Sequence, residues 1–343
     1  MNNGLIMADV MEACKNIDPS NFRGKTVLIT GASGLLGTYF LSFFSYLNSL
    51  DYKITIYAQS FSGTTVFMQR LVDSGEIFHL LIDLSDEEQY KELVEADVII
   101  HCAGYAQPSI FMKNPVSTLT INTAATLALF KRLRKGGSFL FISSSEVYCG
   151  LESAPFKEDQ IGTSTPYHSR ASYIEGKRCG EAICESYRSS GVRAISIRLG
   201  DTYGPGTKIG DKRALNSFIE RALKFNKIEL MDQGLAIRNY CYILDAFEVM
   251  GMILTSGSYN VYNVGGVSLV SIADLAKLIA KLIDCEVIFP KEDQNVRGAP
   301  NILNLDLSRS MKEFNKTYYI DLTEGLKRTI AWQSELYRIK KSF

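Results

Sequence analysis

The feature that most constrains the fold is an alternation of short apolar runs with helical patterns along the first 200 residues. The runs are rich in β-branched and aromatic residues and are apolar throughout, not only at every second residue. Such strands are buried on both faces, as in a parallel sheet covered by helices on both sides. We therefore predict an α/β fold built on a doubly wound parallel (Rossmann) sheet. The runs are TVLIT (26–30), KITIYA (53–58), FHLLID (78–83), DVIIHCAG (97–104), SFLFISSS (138–145) and RAISIRLG (193–200).

A glycine triplet follows the first predicted strand directly and opens the next helix. Such glycines allow a tight turn and let backbone N–H groups approach a pyrophosphate at the helix N-terminus. A triplet can also be only a tight strand-to-helix turn, but its place in the first βα unit favours a dinucleotide. The candidate cofactor-binding residues of this turn are Gly31, Ser33, Gly34, Leu35, Leu36 and Gly37.

The ends of the later strands bear on which dinucleotide binds. The acid that usually holds the adenosine ribose would stand about twenty residues after the triplet, where the chain has Ala58, Gln59 and Ser60. No arginine adjoins them to hold a 2′-phosphate, so we expect NAD, while the sequence leaves NADP open. Asp83 could contact the adenine, or it could instead cap the next helix. The later strand ends contribute three cofactor candidates: Asp83, Leu84 and Ala103.

The rhythm of the pattern changes after the segment GPG (204–206). Helical patterns near 211–226 and 271–283 are then separated only by short strand-like segments, which predicts a smaller mixed α/β substrate-binding lobe. Some of its segments could return to the first domain. The predicted division is an N-terminal extension at 1–23, a dinucleotide-binding Rossmann domain at 24–200 and a mainly substrate-binding lobe at 201–343. The sequence assigns no role to the extension.

Composition excludes several classes of partner. The 37 basic and 37 acidic residues cancel, so we expect no nucleic-acid partner. Seven cysteines without CxxC spacing and three scattered histidines predict no metal site. No run of 18 apolar residues and no signal-peptide pattern is present, so we expect a cytoplasmic protein without a membrane partner.

A tyrosine and a lysine four residues apart, Tyr173 and Lys177, share one face of a predicted helix. A buried ammonium beside the phenol would favour the phenolate and lower the pKa of the tyrosine toward neutral pH. A phenolate can take a proton from a sugar hydroxyl while a hydride leaves for a nicotinamide. The same spacing recurs at Tyr337 and Lys341, at an exposed basic terminus, but only the first pair follows a strand that ends in serines.

That strand ends abruptly in three serines and a glutamate, which a core would normally exclude. In a parallel sheet, ligands bind beyond the carboxyl ends of the strands, so these groups are predicted to face the ligand. The candidate catalytic residues are Ser144, Ser145, Glu146, Tyr173 and Lys177.

Taken together, these motifs resemble those of the extended short-chain dehydrogenase/reductase family, in its group of nucleotide-sugar epimerases, dehydratases and decarboxylases. The resemblance covers residues 24 to about 330. It implies that Ser144 bonds the reacting sugar oxygen beside Tyr173 and that Asn122 belongs to the cofactor site. It also implies that Arg238 and Arg297 pair with the diphosphate of a nucleotide sugar. The matching segments are GASGLLG (31–37), INTAATLAL (121–129), SSSEVY (143–148), YIEGK (173–177), YGPG (203–206) and RNYCYILDA (238–246).

Within this family, the segment SRASYIEGKR (169–178) is nearest to that of the UDP-glucuronate decarboxylases. The segment around Asn216 is also similar to theirs, which implies that Asn216 contacts the substrate. Arg170, on the same helical face as Tyr173, could clamp a C6 carboxylate by two parallel hydrogen bonds, or it could form only an ion pair with a neighbour such as Glu175. The resemblance implies oxidation at C4 by bound NAD, loss of CO2 from the 4-keto sugar, and reduction by the same NADH.

The pair Ser145-Glu146 leaves other reactions open. GDP-mannose 4,6-dehydratases share this pair, whereas C4 epimerases generally lack the glutamate. A dehydrogenase that releases a 4-keto sugar is a further alternative. A nucleotide-binding regulatory protein on the same scaffold would not need intact Ser144, Tyr173 and Lys177.

Three residues depart from the family pattern, the first being Ala58 in place of the ribose-binding acid. Asp201 stands where the family usually has asparagine near the substrate phosphates, and an acid there would repel a diphosphate unless a cation such as Arg238 offsets it. Cys149 replaces the glycine that usually follows the tyrosine of SSSEVY. By analogy with the family we expect a homodimer, formed by helices like those near 116–134 and 170–189.

Overall fold

The computed structural model describes residues 4–291 and 301–338. The strands are β1 (Thr26–Thr30), β2 (Thr55–Ser60), β3 (Phe78–Leu81), β4 (Ala96–His101), β5 (Leu133–Ser144), β6 (Arg193–Leu199), β7 (Asp201–Tyr203), β8 (Lys227–Glu229), β9 (Ile237–Tyr242), β10 (Val261–Val264), β11 (Ser268–Ser271), β12 (Glu286–Ile288) and β13 (Ile302–Leu303). The α-helices are α1 (Gly4–Ala13), α2 (Leu35–Ser49), α3 (Val66–Asp73), α4 (Pro108–Phe111), α5 (Pro115–Asn122), α6 (Ala124–Phe130), α7 (Ala171–Ser189), α8 (Ala214–Phe225), α9 (Ile243–Ser256), α10 (Ile272–Ile283), α11 (Ser308–Phe314) and α12 (Leu322–Leu336). Short 3₁₀ segments cover Ser20–Phe22, Glu87–Glu92 and Ser145–Tyr148.

Seven strands form one parallel sheet in the order β3-β2-β1-β4-β5-β6-β10. Strand order reverses between β1 and β4, so a crevice opens beyond the carboxyl ends of these two neighbours. This topology confirms the predicted doubly wound α/β fold. The last strand, β10, comes from the part of the chain beyond residue 200 and pairs with β6.

Helices cover the sheet on both faces, which explains why its strands are apolar throughout. On one face, α2 contributes a cluster of rings in which Phe43 and Phe44 pack edge to face at 5.0 Å. On the other face, Phe130 stacks between Phe139 of β5 and Tyr187 of α7, with 4.0 Å between ring centroids in both pairs. The central strands are enclosed on both faces, whereas the edge strand β3 has no buried residue, so polar groups that reach a ligand are expected at the carboxyl ends of the central strands.

The helix expected near 116–134 is two shorter helices, and β5 already begins at Leu133. The break lies at Thr123, which has φ −117° and ψ −78°. Threonine hydroxyls on both sides of it bond back to carbonyls four residues earlier, Thr118 to Asn114 and Thr126 to Asn122. Such bonds compete with the backbone ladder and bend helices. The segment DEEQYKELVEA (86–96) also has a helical pattern in the sequence, but it forms only the 3₁₀ segment Glu87–Glu92, which Asp86 caps.

The chain after residue 200 also forms two small sheets that are separate from the main sheet, and we call this part the second lobe. Its centre is β9, which pairs with β7 and β13 in parallel and with β11 in antiparallel orientation. A separate parallel pair joins β8 to β12. None of the described helices combines the length and the apolar character needed to cross a membrane.

The N-terminal helix α1, to which the sequence assigned no role, is anchored by one buried carboxylate. Asp9 is 3 % exposed and accepts hydrogen bonds from Tyr39 of α2 at 2.9 Å and from Tyr242 of β9 at 2.8 Å. Arg328 of α12 donates to the same carboxylate at 3.2 Å. The helix therefore links the nucleotide end of the sheet to the second lobe.

Candidate active site

The three serines at the end of β5 take different roles. Ser143 donates to Glu181 of α7 at 2.5 Å, so it faces the packing between strand and helix. Ser144 caps the following 3₁₀ segment, and its oxygen accepts from the N–H of Glu146 at 3.2 Å. Ser145 is only 5 % exposed and begins the turn. The turn brings Glu146 back toward the first residues of α7.

Tyr173 lies in the first turn of α7 with its ring stacked on Phe111 of α4, at 4.6 Å between centroids and 10° between planes. The residue is 8 % exposed. Burial raises the pKa of its phenol to about 12, while the Ser144 hydroxyl and the guanidinium groups of Arg170 and Arg213 oppose the rise. The direction is the reverse of the sequence-based expectation, because the desolvation of the phenolate outweighs the nearby positive charge.

Lys177 follows one turn later and is 5 % exposed. Its Nζ donates to the carbonyl of Ile142 at 2.6 Å and lies 5.7 Å from the centroid of the Tyr173 ring. Burial lowers the pKa of this ammonium to about 8. No carboxylate among the described residues forms an ion pair with it, and the more distant charge of Glu181 opposes only part of the effect of burial.

A buried ammonium without an ion-pair partner should make the fold less stable. We expect Lys177→Met to raise the free energy of unfolding by about 1–3 kcal/mol, since the pKa of Lys177 falls from its usual 10.5 to about 8. The lost bond to Ile142 offsets part of this gain. Between about pH 8 and pH 10.5, the unfolded wild type binds more protons than the folded wild type. The stability of the wild type therefore rises with pH in this range, and the advantage of the variant becomes smaller.

Urea unfolding at about pH 7 and about pH 9 measures this effect. The control is Lys316→Met, because Lys316 is also buried but pairs with Asp245 at 2.9 Å and Glu248 at 2.7 Å. That variant should lose about 3–5 kcal/mol, since it leaves two buried carboxylates unpaired. If Lys177→Met destabilises the protein as much as the control does, the ammonium is not the unpaired charge described here.

Glu146 and Arg170 form a tight ion pair beside the tyrosine, with 2.5 Å between Oε1 and Nη2. Their side chains are 18 % and 10 % exposed. Burial raises the pKa of Glu146, and Arg170 opposes this rise. Seven buried side-chain polar atoms have no hydrogen-bond partner among the described residues, and three of them belong to predicted site residues: Oε2 of Glu146, Nε of Arg170 and Oδ1 of Asn122. Buried polar groups are nearly always hydrogen-bonded, so these atoms indicate a polar ligand or water in the cleft.

Two more arginines line the cleft. Arg213 precedes α8, holds Asp211 at 2.6 Å, and donates to the carbonyl of Thr202 at 3.3 Å. Nε of Arg238 lies 3.9 Å from Oδ2 of Asp201, whose side chain is 40 % exposed at the cleft wall. Burial raises the pKa of Asp201, while the arginines Arg238, Arg213 and Arg170 oppose the rise. The sequence analysis missed Arg213, although an acid two residues before an arginine at a helix start is a readable signal.

The glycine turn approaches other backbone so closely that no side chain could replace its hydrogens. Gly31 has φ +64°, and a Cβ there would lie 2.7 Å from the backbone nitrogen of Ala103. A Cβ on Gly37 would lie 2.5 Å from the α-carbon of Ala32. Gly34 precedes α2 without a side-chain cap, so the first amides of that helix, at Leu35 and Leu36, are available to a ligand. This cradle fits the pyrophosphate of a dinucleotide.

Other predicted cofactor residues already have structural contacts. Ser33 accepts from Nζ of Lys208 at 3.1 Å. Asp83 accepts from the N–H of Ser85 at 2.8 Å but does not cap the next helical segment, whose cap is Asp86, and the backbone N–H of Ala103 donates to Thr30 at 3.3 Å. Leu84 is buried in the core.

Asn122 is fully buried against Gly176 of α7, and its Nδ2 donates to the carbonyl of Thr118 at 2.7 Å. Gln59, next to Ala58 at the end of β2, accepts from the N–H of Gly31 at 3.0 Å and donates to Ile82 at 2.6 Å. Gln59 therefore holds the glycine turn in place, a role that the sequence analysis did not anticipate.

One predicted substrate residue, Asn216, is bonded to α12 instead of to the cleft cluster. Asn216 is 3 % exposed, and its Oδ1 accepts from Gln333 of α12 at 3.1 Å. Its role toward a substrate stays a prediction. Arg297 lies outside the described residues. The structure thus brings together Ser144, Glu146, Arg170, Tyr173, Lys177, Asp201 and Arg238 around one cleft.

Comparison with known sequences assigns this chain to a protein family. Residues 27–265, well over half of the chain, match the profile of the NAD dependent epimerase/dehydratase family. UDP-glucuronic acid decarboxylase 1 of Xenopus tropicalis is 29% identical over 312 residues, which cover 90% of this chain and 72% of that protein. UDP-glucuronic acid decarboxylase 6 of Arabidopsis thaliana is 27% identical over 309 residues, which cover 90% of this chain and 87% of that protein.

Solved structures show the same fold. An epimerase of Methanothermobacter thermautotrophicus has a TM-score of 0.80 at 19% identity, with 99% of this chain and 98% of that chain covered. A UDP-glucuronic acid 4-epimerase of Bacillus cereus, solved with UDP-4-deoxy-4-fluoro-glucuronic acid and NAD, has a TM-score of 0.75 at 21% identity, covering 91% and 100% of the two chains. This chain belongs to the NAD dependent epimerase/dehydratase family, which confirms the predicted class of enzyme, the extended short-chain dehydrogenase/reductases.

Proposed function

We propose that this protein is a UDP-glucuronate decarboxylase, which oxidises the C4 hydroxyl of the sugar, releases CO2 and reduces the ketone again. The observation that carries the proposal is the Glu146–Arg170 pair. Arg170 lies within one helical turn of Tyr173, and Oε2 of the glutamate and Nε of the arginine are buried without a partner in the described part of the chain. The guanidinium can bind a carboxylate in two-point fashion, as the C6 group of a glucuronate requires. The curated relatives carry the same activity in their names.

NAD is the cofactor that the nucleotide end fits. The glycine turn, the first amides of α2 and the unpaired Oδ1 of Asn122 would hold it, with Ser33, Asp83, Leu84 and Ala103 along its path. When bound, NAD supplies the acceptor for the hydride from C4 and returns that hydride in the last step. Ala58 offers no acid to the adenosine ribose, so recognition of that ribose falls to other groups of the turn.

The side chains of the cleft can move the protons of this reaction. Tyr173 takes the proton of the C4 hydroxyl while Ser144 bonds the same oxygen, and Lys177 provides the positive charge that favours the phenolate. Arg170 holds the C6 carboxylate. The C4 ketone is β to that carboxylate, so the electrons of the C5–C6 bond pass to the ketone as CO2 leaves. C5 then takes a proton from Ser145 or from a water held by Glu146, and Tyr173 returns its proton to the C4 oxygen.

A 4,6-dehydratase is the second candidate, and one observation favours it. Burial raises the pKa of Glu146, so its carboxyl can act as the acid that protonates a leaving hydroxyl at C6. In that reaction Arg170 would have no carboxylate to bind and would serve only to position Glu146.

Incubation of the purified protein with UDP-glucuronate, followed by mass spectrometry of the product, separates these reactions. We expect a product lighter by one CO2. GDP- and dTDP-hexoses tested in parallel would instead lose one water if the protein is a dehydratase. Unchanged mass with an altered C4 configuration would identify an epimerase, and a 4-keto product of unchanged carbon number would identify a dehydrogenase. Failure to convert any nucleotide sugar, with NAD still bound, would contradict every enzymatic assignment and favour a regulatory protein.

We further propose that the protein is a homodimer. Val116 and Leu119 of α5 and Leu127 of α6 are 74%, 38% and 43% exposed, an apolar face beside α7 that a second copy would cover. Light scattering should give twice the mass of the chain, and Val116→Glu should give a monomer. A wild-type mass equal to that of one chain would contradict the proposal.

The seven cysteines are all free, which supports a cytoplasmic location.

A further inference from the structure

We propose that Asp201 restrains the affinity of the cleft for a nucleotide diphosphate: it holds Arg238 in the free protein and takes up a proton when the diphosphate claims that arginine. The proposal rests on the nucleotide-sugar substrate proposed above. It makes Asp201 a residue that determines affinity, so replacing its carboxyl with the amide of asparagine should raise the affinity for the diphosphate.

The geometry singles out the pair of Asp201 and Arg238 among three acid–arginine pairs of the cleft. Glu146 holds Arg170 at 2.5 Å and Asp211 holds Arg213 at 2.6 Å, whereas Asp201 and Arg238 are 3.9 Å apart. The acid of this third pair is also the most exposed, at 40 % against 18 % for Glu146 and 8 % for Asp211. The third pair is therefore the one that an entering anion can open.

Arg238 has donors to spare for such an anion. Its Nη1 donates to the carbonyl of Ile237 at 2.8 Å, and its Nε faces Asp201 across the 3.9 Å gap. Among the described residues, none accepts a hydrogen bond from Nη2. The side chain is 13 % exposed, so its charge is held at the cleft and not in bulk water. A phosphate bound there would take the place that Asp201 occupies.

The charges of the cleft explain why Asp201 opposes binding while it is ionised. The three arginines of these pairs meet three carboxylates, so an entering diphosphate finds no net positive charge among the six. Neutralising Asp201 would leave Arg238 to the phosphates alone. A carboxyl can be neutralised without moving, by taking up a proton.

The surroundings of Asp201 already favour its protonated form. The groups that face it are Glu146 from the turn after β5, Arg170 at the start of α7, Arg213 at the start of α8, and Arg238 and Tyr240 of β9. Burial raises the pKa of Asp201 and the three arginines oppose the rise. A phosphate that engages Arg238 removes part of this opposition and adds negative charge, so the pKa of Asp201 rises further on binding. The affinity for the diphosphate should therefore be higher at low pH. It should fall as the pH rises from the pKa of Asp201 in the free protein to its higher pKa in the complex.

The test is calorimetric titration of the full chain, loaded with NAD, with UDP, in two buffers of different ionisation enthalpy. The wild type should take up a proton on binding, and its affinity should fall with rising pH. Asp201→Asn should bind UDP at least about tenfold more tightly and take up fewer protons than the wild type, with a weaker dependence on pH, because only the terminal phosphate of UDP then still titrates. The control is Asp51→Asn, since Asp51 lies 3.8 Å from Lys53 in an exposed turn between α2 and β2, and it should behave as the wild type.

Two outcomes for Asp201→Asn would overturn the proposal: it could bind UDP no more tightly than the wild type, or it could take up as many protons as the wild type. Glu146→Gln could abolish the uptake while Asp201→Asn retains it, which would assign the proton to Glu146. Wild-type protein that binds none of UDP, GDP and dTDP would contradict the proposed function as well, whereas the first two outcomes leave that function standing.

Discussion

Replacing Tyr173 with phenylalanine is expected to lower turnover of UDP-glucuronate by a factor of about 10²–10⁴, the usual contribution of a general base. The variant keeps the ring that stacks on Phe111 at 4.6 Å, so its fold and its affinity for UDP should change little. Only the phenolic oxygen beside Ser144 is lost. Steady-state kinetics together with calorimetric binding of UDP measure the two quantities separately.

The pH profile gives this prediction a second readout. Because burial raises the pKa of the phenol to about 12, phenolate is scarce at neutral pH and wild-type turnover should increase as pH rises. Tyr173→Phe should lose that rising limb. The matched control is Tyr337→Phe, at the other tyrosine with a lysine four residues on, whose oxygen accepts from the N–H of Gly210 at 3.3 Å. Near-full turnover by Tyr173→Phe would refute Tyr173 as the base.

Glu146→Gln is expected to lower overall turnover by about 10²-fold without blocking the oxidation at C4. The amide keeps an oxygen for Arg170, which Glu146 now binds at 2.5 Å, but it loses the carboxylate that holds the water proposed to protonate C5. Return of a proton to C5 should then limit the reaction, and a 4-keto sugar should accumulate. Trapping with hydroxylamine and mass spectrometry would detect that ketone.

The control for this variant is Glu175→Gln. Glu175 also lies near the start of α7 and pairs with an arginine, Arg178 at 2.8 Å, but its side chain is 36 % exposed. This change should leave turnover unaltered. The role given to Glu146 would be wrong if Glu146→Gln turned over as fast as the wild type, or if it formed no ketone at all.

The sequence predicted the parts of this protein that follow from periodicity and local spacing. Continuous apolar strands, the glycine triplet and the polar end of β5 were enough for the sheet, the nucleotide end and the position of Tyr173. Each depends on neighbours in the chain, so one sequence is sufficient to see it. The family profile over residues 27–265 confirmed the class of enzyme that the motifs resemble.

The parts that the sequence did not predict depend on contacts between distant segments. Stacking of Phe111 on Tyr173 and docking of α1 through Asp9 join residues with no shared pattern. The pKa of Tyr173 was expected to fall because a lysine lies nearby, yet burial by α4 and the strand end outweighs that charge. Burial is a property of the packed fold, and spacing along one helix does not reveal it.

The most direct measurement of the central claim uses UDP-glucuronate that carries deuterium at C4. If Tyr173 takes the proton of the C4 hydroxyl and the bound cofactor accepts and returns the C4 hydride around the loss of CO2, the pentose product must keep its deuterium at C4, even with excess unlabelled NADH in solution. A decarboxylated product that has lost the deuterium, or a labelled hexuronate recovered intact after prolonged incubation, would contradict the account.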